Sequence, residues 1–137
     1  MDCGLSGFAR SAVAPERIVE VTMSRPQESG DAGEGRVSYP DYRDWLEHGR
    51  SFSDLAAVSE ESFVLSGTGT AERIEGARVT SGFFGVLGLR PVLGAVSAES
   101  WQAPGSRLAV LSHAFWESRL GKDPAVLGRP LRLNDQL

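Results

Sequence analysis

The side chains that could support acid–base or metal chemistry are few and widely spaced. The two histidines, His48 and His113, are far apart, and neither is followed at helical spacing by a second histidine or cysteine. His48 comes at the end of a predicted helix, where a protonated imidazole interacts favourably with the helix dipole. His113 directly follows Ser112, which predicts a place at a helix start rather than the role of a catalytic base. The sequence therefore predicts no metal site and no general base at either histidine.

The carboxylates form one candidate cluster. Asp41, Asp44 and Glu47 recur every three residues on a predicted helix, and Arg43 and Arg50 are interleaved with them. Mixed charges at this spacing are typical of a solvated helix face rather than of a paired acid–base site. The pair Glu60-Glu61 is likewise expected at the surface.

Phosphate and nucleophile motifs are absent from the sequence. No G-x-x-x-x-G-K-[ST] pattern occurs, and Lys122, the only lysine, follows a single glycine. Gly67-Thr68-Gly69 falls inside a predicted β-hairpin rather than between a strand and a helix, so it is expected to be a turn. Ser112-His113 is not a nucleophile–base pair, because such partners are usually distant in sequence and converge in space. No catalytic, cofactor-binding or metal-binding residue is predicted, and no cofactor is expected.

Composition favours a single globular domain. The 137 residues are 41% hydrophobic and 23% charged, with a formal net charge of −4. Arginines are scattered, so the positive face that nucleic-acid binding requires is not expected. Cys3 is the only cysteine, so no disulfide can form within the chain. No apolar run approaches the roughly 20 residues of a membrane-spanning helix, and the first 14 residues lack the apolar core of a signal peptide.

Local patterns predict alternating strands and short helices. Residues 1–16 are expected to be disordered or poorly packed, and Arg17 to Thr22 is rich in β-branched residues, which favours a first strand. The polar, glycine-containing residues 24–36 predict a flexible loop. Ser38 predicts a helix N-cap with Asp41 at the capping-box position, and Gly49 predicts the end of that helix.

The second half of the pattern begins with a predicted hairpin whose arms are residues 62–66 and 73–80, with a bulge or local twist expected at Gly76. Ser81 predicts the cap of a short helix ending at Gly88, and Ser112 the cap of another ending at Gly121. Residues 90–106 are expected to be irregular, whereas the continuous apolar run Leu108 to Leu111 predicts an interior strand. The aromatic residues expected to anchor the core are Trp45, Phe83, Phe84 and Trp116.

The end of the sequence predicts an incomplete hairpin. Asp123-Pro124 indicates one more helical turn ending at Gly128, and Leu131 to Leu133 alternates as a strand into the turn signal Asn134-Asp135. A hairpin arm without its returning strand would leave unpaired backbone groups, so a truncated domain that associates through this edge is expected.

Four motifs in this order resemble the MacB-like periplasmic core domain of ABC-transporter permeases, in the FtsX-like superfamily. They span about 100 residues and are the following: Tyr39-Pro40-Asp41-Tyr42, Gly82-Phe83-Phe84-Gly85-Val86-Leu87-Gly88, Val110-Leu111-Ser112 with Trp116, and Gly128-Arg129 with Leu131-Arg132-Leu133-Asn134. Two positions depart from the family pattern: Ala95 stands where an arginine usually follows the glycine, and Asp135 replaces the hairpin glycine.

The resemblance implies an α/β (α+β) fold with a mixed sheet, short helices, porter-like strand–helix units and an inserted β-hairpin. Residues 17–137 would form a partial domain.

The resemblance also implies a function that belongs to a larger assembly. The domain would be a non-catalytic extracytoplasmic part of a permease, on the periplasmic side of the plasma membrane, acting in export or in transmitting motion across the membrane. Its implied partners are the rest of the permease and a separate ABC ATPase, with a periplasmic partner also compatible. The alternative is a free-standing α/β binding module, and a small enzyme is the third and least favoured hypothesis. A free-standing module would unfold cooperatively as a monodisperse product, whereas an enzyme would need a histidine and a carboxylate in one pocket.

Overall fold

The computed structural model describes residues 14–21, 23–25, 33–67, 69–102 and 106–134. The chain forms two compact units. The first unit comprises Met1–Ala57 and Gly82–Leu89, and the second comprises Val58–Ser81 and Arg90–Leu137. Short helices and small antiparallel sheets make up the regular structure, which confirms the predicted α+β class.

The principal helix of the first unit is α1, Tyr39–His48. The backbone N–H of Asp41 donates to Oγ of Ser38 at 3.3 Å, and the Ser38 hydroxyl donates to Oδ2 of Asp41 at 2.5 Å. Together these bonds satisfy an amide that lacks a partner within the helix and fix the aspartate at its start, so the predicted N-cap is confirmed. Gly49 caps the other end, also as predicted.

The core of the first unit is built from helix α2, Phe83–Leu87. Phe83 and Leu87 are four residues apart on one helix face and are both buried, at 7% and 5% exposure. The predicted cap at Ser81 is wrong, because Gly82 occupies the N-cap position and no side chain bonds to the helix start. The predicted end at Gly88 is confirmed by its left-handed backbone. Of the predicted aromatic anchors in this unit, Phe83 is buried, whereas Trp45 and Phe84 are half-buried.

The second unit contains the predicted hairpin, formed by β3, Val58–Ser66, and β4, Glu72–Val79. The two strands pair without interruption from Val58 opposite Val79 to Leu65 opposite Glu72, so the bulge expected at Gly76 is wrong. A side chain at Gly76 would place its Cβ 3.0 Å from the ring of Phe63. The glycine therefore leaves space for an aromatic ring that lies over the opposite strand, rather than relieving a change of register.

A short third strand completes this sheet. Strand β5, Arg132–Leu133, pairs antiparallel with the end of β3 and gives the order β4-β3-β5. The predicted last arm therefore exists and is paired with β3 on one side, while β5 is the edge strand of this sheet among the described residues. Leu65 in the central strand lies opposite Leu133 and is buried, with 7% exposure. A central position lets neighbouring strands cover a side chain from both sides.

Helix α4, His113–Leu120, follows the sequence closely. The Phe115 N–H donates to Oγ of Ser112 at 3.2 Å, and Gly121 ends the helix in the left-handed region, so both predicted boundaries are confirmed. The predicted extra turn is the 3₁₀ helix Pro124–Val126, in which Oδ1 of Asp123 accepts the Ala125 N–H at 2.9 Å. Trp116 is half-buried and donates its indole N–H to the Asp123 carbonyl at 2.9 Å, which ties the helix to this turn.

Two predicted strands do not form. Arg17 ends the 3₁₀ helix Pro15–Arg17, and residues 18–21 have no regular structure; Thr22 lies outside the described residues. Leu108 to Leu111 is also not a strand, and Leu108 is 51% exposed. Both segments have strand-forming side chains but no ladder partner among the described residues, and an isolated strand is not stable.

Two predicted irregular regions contain regular structure. The loop expected over residues 24–36 instead includes paired strands, since β1, Met23–Arg25, and β2, Gly33–Gly35, are antiparallel neighbours there. Residues 90–106 contain helix α3, Ala98–Gln102. All ladders among the described residues are antiparallel, which differs from the expected mixed sheet. The expected disorder of residues 1–16 falls almost entirely outside the described residues.

Candidate functional site

The first unit has an open cleft of about 340 Å³ beside the C-terminal half of α1. We call it the aromatic cleft; its lining residues are Val21, Asp44, Trp45, His48, Gly49, Ser51 and Phe52. Trp45 and Phe52 contribute the rings, and Phe52 is 43% exposed. Small-molecule sites are typically concave, largely apolar and roughly 300–1,000 Å³ in volume, so this cleft lies at the small end of that range.

The helix and its end position the cleft residues. Asp44 and His48 lie one helical turn apart, and Trp45 is next to Asp44. At Gly49 the backbone N–H donates to the Trp45 carbonyl at 2.8 Å, and the chain then turns toward Ser51 and Phe52. A Cβ atom at position 49 would be 2.3 Å from the Trp45 carbonyl oxygen. Only glycine fits this turn without displacing the backbone, and the turn brings the Phe52 ring to the same cleft as Trp45.

Asp44 and His48 form the polar edge of the aromatic cleft. Nδ1 of His48 lies 3.1 Å from Oδ1 of Asp44 and 3.2 Å from the Asp44 carbonyl oxygen. Both neighbours of this ring nitrogen are acceptors, which favours the tautomer with a proton on Nδ1. Both side chains remain largely exposed. Oδ2 of Asp44 is left as an acceptor with no hydrogen bond to the described residues.

The other predicted carboxylates of α1 have separate roles. Asp41 bonds to the Ser38 cap, as described above. Glu47 accepts from Arg43 at 2.5 Å, and this hydrogen bond lowers the pKa of Glu47 and raises the pKa of Arg43. The three acids therefore do not share one site, and only Asp44 lines the cleft.

A second charged group lies on the β3–β4 hairpin. Nε of Arg78 donates to Oε2 of Glu61 at 2.5 Å, and the Arg78 guanidinium lies 5.8 Å from the centre of the Phe63 ring. The hydrogen bond lowers the pKa of Glu61 and raises that of Arg78. This arrangement is an ion pair across two strands, with no second acid or base poised for proton transfer among the described residues.

The remaining candidates are not among the lining residues of the aromatic cleft. Nδ1 of His113 is 3.9 Å from Glu117, which pairs at 2.7 Å with Lys122. Within the described ranges, no group of three or more histidine, cysteine or acidic side chains is placed to hold a metal ion. Gly67 and Gly69 belong to the hairpin turn, while Thr68 and Cys3 lie outside the described residues.

Sequence reasoning treated the parts of the aromatic cleft separately. It assigned Trp45 to the core, Asp44 to a solvated face and His48 to a helix end. The signal that could have joined them is the spacing of Asp44 and His48 at i and i+4, followed by a glycine and then an aromatic residue. Val21 carries no such signal, because its approach to the helix depends on tertiary structure.

Comparison with known proteins identifies the family. A family model for the MacB-like periplasmic core domain matches residues 4–137. The chain therefore belongs to this family, which is associated with ABC-transporter permeases. No curated protein and no solved structure matches the chain. None of the helices in the described part of the chain is both long enough and apolar enough to cross a membrane.

Proposed function

We propose that this chain is a non-catalytic extracytoplasmic domain of an ABC-transporter permease that acts in export or in transmitting motion across the membrane. The family match over residues 4–137 carries the proposal. The description of the family as a periplasmic core domain places such domains outside the membrane, and in this proposal ATP hydrolysis is carried out by a separate ABC ATPase. The absence of a phosphate-binding lysine motif in the full sequence agrees with that division of labour.

The charged side chains of the described residues are consistent with a domain that acts without catalysis. The charged side chains described above pair with one another at the surface, as in the Arg43–Glu47 and Arg78–Glu61 pairs. Such pairs are solvent-screened and do not lower a reaction barrier by themselves. The partners of the proposed domain are the membrane-spanning part of the permease and its ATPase.

The location is tested by cysteine labelling in intact cells of the source organism. Cys3 is changed to serine and Val92, which is 85% exposed, is changed to cysteine in the chromosomal gene. A membrane-impermeant maleimide should label V92C before lysis, whereas a cysteine in a cytosolic control protein should be labelled only after lysis. Labelling of V92C only after lysis would overturn the extracytoplasmic assignment.

The partner is tested by purification from detergent-solubilised membranes. A tag on the same gene product should recover a subunit that carries a Walker A motif and hydrolyses ATP. Recovery of the tagged 137-residue product alone, from the soluble fraction, would instead favour the free-standing binding module.

A further inference from the structure

We propose that the aromatic cleft binds a small organic cation with an apolar body, of the quaternary ammonium type. The inference rests on the geometry of the first unit alone and does not depend on the proposed place in a permease. Its basis is the combination of two aromatic rings, one open carboxylate and a small volume in a single concave surface.

The apolar lining favours a ligand that loses little on leaving water. Trp45 and Phe52 offer ring surface, and Val21, itself 40% exposed, adds an aliphatic side chain. Burial of apolar ligand surface against these side chains is favourable in proportion to the area removed from water. A strongly hydrated ion, such as an ammonium or a carboxylate without an apolar body, would gain little from these walls.

The charge of the lining selects a cation over an anion. Asp44 contributes a carboxylate, and neither a lysine nor an arginine is among the lining residues. The arginine on the helix, Arg43, is bound by Glu47, while Arg50 follows the cleft residue Gly49 and is exposed. The face of an indole ring carries negative potential and attracts a cation that lies over it. The indole ring and the Asp44 carboxylate thus both attract a cationic ligand.

His48 has a positioning role in this proposal. Its Nδ1–H is shared between the Asp44 carbonyl and Oδ1, which holds one side of the carboxylate and leaves Oδ2 for a ligand. A quaternary ammonium group has no N–H to donate, so it would contact this oxygen and the rings by electrostatic attraction alone.

The probe is benzyltrimethylammonium chloride, titrated into the full 137-residue chain labelled with ¹⁵N. The three tryptophan indole N–H signals report separately, so Trp116, which is hydrogen-bonded to Asp123, serves as an internal control. We expect a saturable shift of the Trp45 signal and no comparable shift of the Trp116 signal. Sodium phenylacetate, an aromatic anion of similar size, should leave the Trp45 signal unmoved.

Two variants separate charge from shape. Asp44→Asn keeps the shape and removes the charge, and it should weaken binding by about fivefold, as expected for the loss of one exposed cation–carboxylate contact. Phe52→Leu keeps apolar volume, removes a ring and should also weaken binding. Glu60→Gln makes the same change of charge on strand β3, at a residue that does not line the cleft, and should change affinity by less than about twofold because the effect of a solvated charge outside the site is screened.

The proposal would be overturned by the absence of a saturable Trp45 shift in the parent chain, by equal affinities for D44N and the parent chain, or by an equal response to the anion. A saturable response with equal loss in D44N and E60Q would mean that net charge rather than the cleft attracts the probe, which also contradicts the proposal.

Discussion

Asn134 holds both backbone groups of Val64. The Asn134 N–H donates to the Val64 carbonyl at 2.9 Å, and Oδ1 of Asn134 accepts the Val64 N–H at 2.8 Å. The side-chain amide thus takes the place of a backbone acceptor, while Asn134 itself is left-handed, with φ of 50°. Asn134 therefore continues the β3–β5 ladder and also turns the chain away from it. Asparagine suits this turn because it offers a side-chain acceptor and tolerates the left-handed conformation.

Substitution of Asn134 should loosen the β3–β5 edge. Asn134→Ala loses the side-chain acceptor and puts alanine, which tolerates the left-handed conformation less well than asparagine, at this turn, for a combined cost of about 2 kcal/mol. Asn134→Gly loses the acceptor but tolerates the backbone, so its cost should be smaller. Amide hydrogen exchange at Val64 is the measurement, and both variants should exchange faster than the parent. Equal protection of Val64 in all three proteins would show that the Asn134 side chain contributes nothing.

The buried face of α2 should dominate the stability of the first unit. Leu87→Ala removes a side chain that is 5% exposed and should cost about 2–4 kcal/mol through lost burial and a residual cavity. Leu46→Ala, a chemically identical change at a site 44% exposed, should cost less than about 1 kcal/mol. Urea unfolding followed by far-UV circular dichroism compares them. Similar midpoints for L87A and L46A would contradict the assignment of this core.

The sequence was informative where local chemistry decides the structure. Ser38 and Ser112 cap their helices through their own hydroxyls, and Gly88 and Gly121 end helices through a backbone conformation that glycine adopts freely. These features depend on residues within four positions of one another, so a local pattern contains the whole argument.

Strand formation could not be read in the same way, because a strand requires a partner. Leu108 to Leu111 has an ideal strand composition and lies outside every ladder of the described residues, whereas Gly33–Gly35 has a poor composition and pairs with β1. The aromatic cleft was missed for a related reason. Asp44 and His48 are local neighbours, but Phe52 reaches them only because the chain turns at Gly49.

Trp116 should contribute through its indole N–H as well as through its ring. Trp116→Phe retains most of the apolar contact and the edge-on approach to His113, but it leaves the Asp123 carbonyl without this donor. We expect a loss of about 1 kcal/mol for Trp116→Phe and a larger loss for Trp116→Ala, which also removes a half-buried ring. The thermal unfolding midpoints of the parent, W116F and W116A give the order of their stabilities. If W116F unfolds at the same temperature as the parent, the hydrogen bond makes no net contribution to stability.

The Arg78–Glu61 pair should make stability depend on pH in one direction. Because the hydrogen bond from Arg78 lowers the pKa of Glu61 in the folded chain, the unfolded state binds a proton at higher pH than the folded state does. The contribution of the pair is therefore complete above the unfolded pKa of a glutamate, about 4.3, and is lost as pH falls through the folded value. Arg78→Gln should raise the Glu61 pKa toward its ordinary value, as followed by carboxyl ¹³C shifts. Arg73→Gln removes an equal charge from the same strand and should leave the pKa of Glu61 unchanged. A comparable rise of the Glu61 pKa in R73Q would mean that the loss of any nearby positive charge, rather than of this ion pair, causes the shift.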